Sequence, residues 1–197
     1  MTKTSYDPKL TMRQARAQYF AVNRFGDDGG YHDAWVDFKL GPLPLPFPNS
    51  PARIKALRFH DLHHIVTDYD TDTLGEFEIS AWELGAGCRN FAAAWVLNLG
   101  GLAAGLLSAP RRTMRAFLRG RRSRTLYGRT LEDLLDAQVA EVRAMLTDPA
   151  PANRLLDGLL LSLGAVAGVL LGAMLLILMV ALLPLFFYFR LARPATA

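Results

Sequence analysis

Residues 51–87, PARIKALRFHDLHHIVTDYDTDTLGEFEISAWELGAG, read as two helices joined by a short polar loop. Asn49 or Ser50 can cap the first helix, with Pro51 in its first turn. Over 52–67, Ile54, Leu57, Leu62 and Ile65 recur at helical spacing. The loop DYDTDT follows. A second helix starts near Leu74, carries Phe77, Ile79, Trp82 and Leu84, and ends at Gly85 and Gly87.

Three of the four histidines, His60, His63 and His64, lie on the first of these helices. At roughly 100° per residue, His60, His64 and Asp61 point at roughly 0°, 40° and 100°, so they share one face. Glu76, separated from His64 by eleven residues, can close a site from the start of the next helix. Imidazole nitrogen and carboxylate oxygen suit a divalent ion, Zn²⁺ first, with Mn²⁺ or Fe²⁺ as alternatives. A plainer account is available for each piece. A His–Asp pair is commonly only hydrogen-bonded, surface helices carry histidines at i, i+4, and Asp68, Asp70 and Asp72 fit a solvated loop. Cys88, the single cysteine, sits between Gly87 and Arg89 and is not read as a nucleophile. There is no phosphate-binding glycine loop of the Walker type and no Gly-x-Ser-x-Gly elbow.

Downstream, 158–189 runs GLLLSLGAVAGVLLGAMLLILMVALLPLFFYF without a charged side chain. About 20 helical residues already cross a ~30 Å hydrocarbon layer. The expected span is Leu159 to Leu183, with Pro184 at a kink or end and Phe186, Phe187 and Tyr188 at the far interface. Gly164, Gly168 and Gly172 share one face, which would suit close approach of a second copy in a homodimer. Eight arginines between Arg111 and Arg129 precede the span with no acid among them, and only Arg190 and Arg193 follow it. The N-terminal domain is therefore expected on the cytoplasmic side of a single-pass anchor. The division is 1–154 for the domain and 155–190 for the anchor.

Three other segments complete the reading. GPLPLPFPNSP, 41–51, should be extended, a stiff connector close to polyproline II. FAAAWVLNLGGLAAGLLSA, 91–109, is read as a core or interfacial helix, the following arginines being able to meet anionic lipid headgroups. TLEDLLDAQVAEVRAMLT, 130–147, is an amphipathic helix with Thr130 and Asp133 as its capping pair and Asp148, Pro149 and Pro151 as its stop. The first twenty residues lack the apolar core of a secretory signal. No strand-rich region is evident, so the fold class is all-α. With 51% apolar and 20% charged residues, the 197-residue chain is not a mainly disordered one. A net charge of +4 is modest for a nucleic-acid partner, and none is expected.

His-Asp-x-x-His, eleven residues, Glu, here His60, Asp61, His64 and Glu76, resembles the motif of the coenzyme Q (ubiquinone) biosynthesis protein 4 family. The GEFEISAWELGAG stretch, with a Gly-Glu opening of the next helix and a later Trp-x-Glu type element, and the DPAP after the 130–147 helix are similar to that family too. The likeness covers roughly Pro42 to Pro151. His63 occupies a slot often aromatic or aliphatic there and is read as supporting or incidental; Asp68 stands where glycine is expected. The resemblance implies an all-helical protein with His60, Asp61, His64 and Glu76 as both metal ligands and catalytic residues. It also implies metal-dependent decarboxylation at ring carbon C1, coupled to hydroxylation there, of a polyprenylated hydroxybenzoate-derived intermediate. Zinc has no redox chemistry, so in a zinc protein the electrons pass elsewhere, to oxygen. Helices at 91–109 and 131–146 could line a groove for the prenyl tail. Partners would be the quinone precursor, membrane lipids and other quinone-biosynthesis proteins. The alternative is a non-catalytic, metal-stabilised scaffold that binds prenylated precursors. A metal-dependent phosphohydrolase ranks last, because His32 is the only other histidine.

Overall fold

The computed structural model describes residues 5–36, 39–40, 43–44, 47–147 and 153–191. Eight helices carry the fold among these residues. They are α1 (Met12–Asn23), α2 (Pro51–Thr67), α3 (Thr73–Ala86), α4 (Ala92–Ser108), α5 (Pro110–Gly120), α6 (Leu131–Asp136), α7 (Val139–Met145) and α8 (Arg154–Leu191). The all-α class holds, and the helix–loop–helix of 51–87 is α2 and α3.

α3 sits at the centre, packed on α4 and α5. Two glycines allow that closeness. A Cβ on Gly85 would collide with the Phe117 carbonyl oxygen, and one on Gly120 with the Trp82 carbonyl oxygen. Around α3, Leu62, Ile65, Ile79, Trp82, Leu102 and Leu126 are fully buried. Each such side chain contributes roughly 1.5–3 kcal/mol by leaving water.

Strand is confined, among the described residues, to four two-residue pieces, β1 (Trp35–Val36), β2 (Lys39–Leu40), β3 (Leu43–Pro44) and β4 (Phe47–Pro48). The described residues of the proline-rich segment, 43–44 and 47–48, are extended, as expected, but pair antiparallel with 39–40 and 35–36, Lys39 opposite Pro44 and Trp35 opposite Pro48. Pro44 and Pro48 stand an even number of positions apart, so their missing N–H groups lie on the same edge of the extended chain. The other edge can pair.

The single helix expected over 130–147 is broken into α6 and α7. Ala137 and Gln138 are extended because the chain's beginning pairs with them: Met12 N–H donates to the Ala137 carbonyl at 2.9 Å, and Val139 N–H to the Leu10 carbonyl at 2.9 Å. Thr130 makes no side-chain capping bond; the capping boxes are Gln138 with Glu141 on α7 and Thr11 with Gln14 on α1. The proposed stop at 148–151 lies outside the described residues.

α4 packs one face, including Asn98 and Leu102, on the domain and leaves Trp95, Val96, Leu97 and Leu107 exposed. α8 lies along it. Gly164 meets Leu102 and Gly168 meets the Leu99 carbonyl and Ala103, so much of the glycine face expected to receive a second copy is taken by α4 of the same chain. Asp157, in the first turn of α8, is buried and accepts from Arg121 Nε at 2.8 Å. The proposed boundary at 154/155 thus crosses packed structure. Within α8, Arg154–Leu178 is long and apolar enough to cross a membrane, and only 6% of its most apolar window is buried, unlike a core helix. Pro184 does not end the helix, which continues to Leu191. Proline removes one ladder bond, and neighbouring turns carry the helix on. The side chains at 186–188 lie outside the described residues.

Candidate metal centre

α2 begins at Ser50, whose hydroxyl accepts from Arg53 N–H, with Pro51 at the first position. It ends at Asp68, in the left-handed region at φ 58°. That conformation explains why glycine is expected there. Here an aspartate adopts it and accepts from Arg143 Nη2 at 2.6 Å. α3 is capped by Asp72, whose Oδ1 accepts from Gly75 N–H at 2.7 Å. Gly75 admits no side chain, since a Cβ would strike the Asp70 carbonyl. The tight loop therefore sets Glu76 in the first turn of α3, opposite the histidines.

His60, His64 and Glu76 converge, their nearest ligand atoms all within 4.8 Å of one another. His60 Nε2 stands 3.1 Å from His64 Nε2 and 3.4 Å from Glu76 Oε2, and His64 Nε2 stands 3.3 Å from Glu76 Oε1. Three ligands at the usual zinc distances would be separated by about 3.3 Å in a tetrahedral set. The donor chemistry fits as well. His60 Nδ1 donates to Glu83 Oε1 at 3.0 Å and His64 Nδ1 to the Tyr69 carbonyl at 2.9 Å. With both Nδ1 atoms engaged as donors, the neutral imidazoles turn two lone pairs toward each other. A cation satisfies that arrangement.

Asp61, the fourth expected ligand, does not join this group. It is buried, and its Oδ2 accepts from the Tyr31 hydroxyl at 2.5 Å. Burial raises the Asp61 carboxyl, against the pull of Tyr31 and the two imidazoles. His63 supports rather than ligates. Leu126 N–H donates to its Nε2 at 3.0 Å, so Nδ1 carries the proton and donates to Glu83 Oε1 at 2.7 Å. Burial lowers its pKa despite that carboxylate.

Glu83 is the residue the motif does not name. Its fully buried carboxylate accepts from His60 and His63 through Oε1 and from Asn98 and Tyr127 through Oε2. Burial alone would raise its pKa, but the two imidazoles outweigh it and hold the group well below the carboxylate range. Glu76 behaves alike: burial raises it, His60 and His64 bring it lower. Burial lowers the His60 imidazole, yet Glu83 and Glu76 carry it well above its ordinary value. A signal for Glu83 existed in the sequence: it is an acid between Trp82 and Leu84 on an apolar face, two turns beyond Glu76.

The site is open on one side. The Glu76 side chain is 42% exposed while that of His64 is 1% exposed. Cys88 is fully buried and its thiol is pushed up to about 12 by burial, which suits packing rather than nucleophilic chemistry. His32 is bound to Asp28 and stands outside the group. His60, His64 and Glu76 could hold a divalent ion with a position left for water or substrate. No family model, curated protein or solved structure matches this chain.

Proposed function

We propose that this chain is a membrane-anchored metalloprotein of ubiquinone (coenzyme Q) biosynthesis that removes the C1 carboxyl of a polyprenylated hydroxybenzoate-derived intermediate with coupled hydroxylation. The observation that carries the reading is the convergence of the His60 and His64 Nε2 lone pairs with Glu76. A divalent ion held there supplies Lewis acidity toward a carboxylate or phenol oxygen. The chain's own residues do the positioning. Glu83 turns His60 toward the site, the Tyr69 carbonyl turns His64, and the exposed edge of Glu76 leaves an approach for substrate.

An apolar cleft of about 440 Å³ supports the prenyl tail's place in this reading. It lies between α3, α4, α5 and α8, lined by Leu84, Trp95, Leu99, Phe117 and Leu163. Residues of α4 and α8 line it, and none of the 131–146 segment does. The arginines from Arg111 to Arg129 support a cytoplasmic side for this domain in our reading.

Expression in a quinone-deficient strain lacking ring decarboxylation tests the proposal. The wild type should rescue, and Glu76→Ala and His64→Ala should not. Rescue by variants that have lost metal but stay folded defeats the catalytic reading and leaves a lipid-binding scaffold, for which the buried Glu83 network would serve structure alone.

A further inference from the structure

On the side of α2 beyond His64, a second cleft of about 320 Å³ opens between the C-terminal end of that helix, α5 and the segment after α7. It shares no residue with the metal centre. Its charged lining is Arg119, Arg122 and Arg143 against the single acid Asp68.

The plainest account is that these arginines cap α2. Arg119 Nη1 donates to the Thr67 carbonyl at 2.9 Å, and Arg143 Nη2 to the Ile65 carbonyl at 3.1 Å and to Asp68. That accounts for part of the donors only. Arg143 Nε is buried with no partner, and so is the indole Nε1 of Trp82, a fully buried residue lining the same cleft. The exposed Arg122 lines the same cleft. Buried donors are rarely left unmade, and a set of N–H groups around a cationic hollow is complementary to an oxyanion.

We infer that this cleft binds a phosphoryl group, held by Arg119, Arg122, Arg143 and the Trp82 indole N–H. Asp68 is already engaged by Arg143 and does not oppose the anion. A tetrahedral phosphoryl group offers several acceptor oxygens to donors converging from different elements, where a carboxylate offers two. The group can come from a lipid headgroup or from a free phosphate. The headgroup source is geometrically natural, because Arg121, next to Arg122, clasps Asp157 at the base of α8.

The test uses the full chain, labelled with ¹⁵N-tryptophan, in neutral detergent. The Trp82 indole resonance is assigned with Trp82→Phe and followed during titration with inorganic phosphate. A parallel series uses nanodiscs of phosphatidylcholine with and without phosphatidic acid. A saturable shift with phosphate, weakened about ten-fold or more by Arg122→Ala, supports a free phosphate ligand. A shift seen only with phosphatidic acid, and lost in Arg122→Ala, supports the lipid headgroup. Arg122→Ala should keep its metal content and melting temperature. No shift in either series, a shift matched by sodium chloride, or an unchanged affinity in Arg122→Ala overturns the inference.

Discussion

Glu83 Oε1 lies 3.0 Å from His60 Nδ1, so the orientation of an imidazole that could hold a metal is inherited from a carboxylate at the centre of the core. The same oxygen also accepts from His63. Glu83→Gln would set an amide N–H₂ against donors from Asn98 and Tyr127, or from the two imidazoles. Metal affinity should fall about 10–100-fold. Glu83→Ala should cost about 3–5 kcal/mol of stability, because it leaves the partners of a buried charge unmatched. Chelator competition and denaturant unfolding read the two effects separately.

Glu76 is half exposed, and its removal should spare the fold. In Glu76→Ala the purified protein should lose most of its metal on mass spectrometry, with the metal-free melting temperature little changed. The wild type should gain about 2.7 kcal/mol at a metal concentration 100 times the Kd, and the variant little or nothing. Equal stabilisation of both proteins would remove Glu76 from the ligand set.

Stability of the metal-free protein should depend on pH in two windows. The His60 imidazole is raised above its ordinary 6.5, so its contribution is complete below that value and fades as pH rises through the raised one. Glu83 is depressed below 4.5, so its contribution is present above that value and fades as pH falls through the depressed one. In the metal-free protein the His60 contribution should therefore be lost from the melting temperature as pH rises through the raised value, while His63, lowered by burial, works against stability as pH falls below 6.5. Metal displaces the His60 Nε2 proton, so apparent affinity should rise with pH over the same upper window.

Gly168 lies against the Leu99 carbonyl of α4, leaving no room for a side chain. Gly168→Leu should push α8 away from α4 and cost roughly 1–3 kcal/mol. Gly172, where a Cβ meets nothing, should accept alanine without measurable loss. Thermal melts of both variants in detergent check this.

A reporter fused after Ala197 should register on the side opposite the N-terminal domain if α8 spans the bilayer. A signal on the same side would mean that α8 lies along the membrane rather than across it.

Composition and spacing alone were enough for the all-helical class, the α2–loop–α3 unit, the apolar α8 and three converging ligands. Those features are local: helical periodicity, charge-free length and a fixed angle per residue are written in neighbouring residues. Local rules also explain the misreading of 130–147. Its pattern is helical throughout, and only pairing with Leu10 and Met12, more than a hundred residues away, breaks it at Ala137 and Gln138. Angle arithmetic put Asp61 on the histidine face as well, yet Tyr31 draws its carboxylate aside. His60, His63, Asn98 and Tyr127 meet at Glu83 only once α2, α3, α4 and the segment after α5 are packed. Tertiary structure decided these points because a buried charge takes whichever partners packing brings to it, and no helical period encodes that choice.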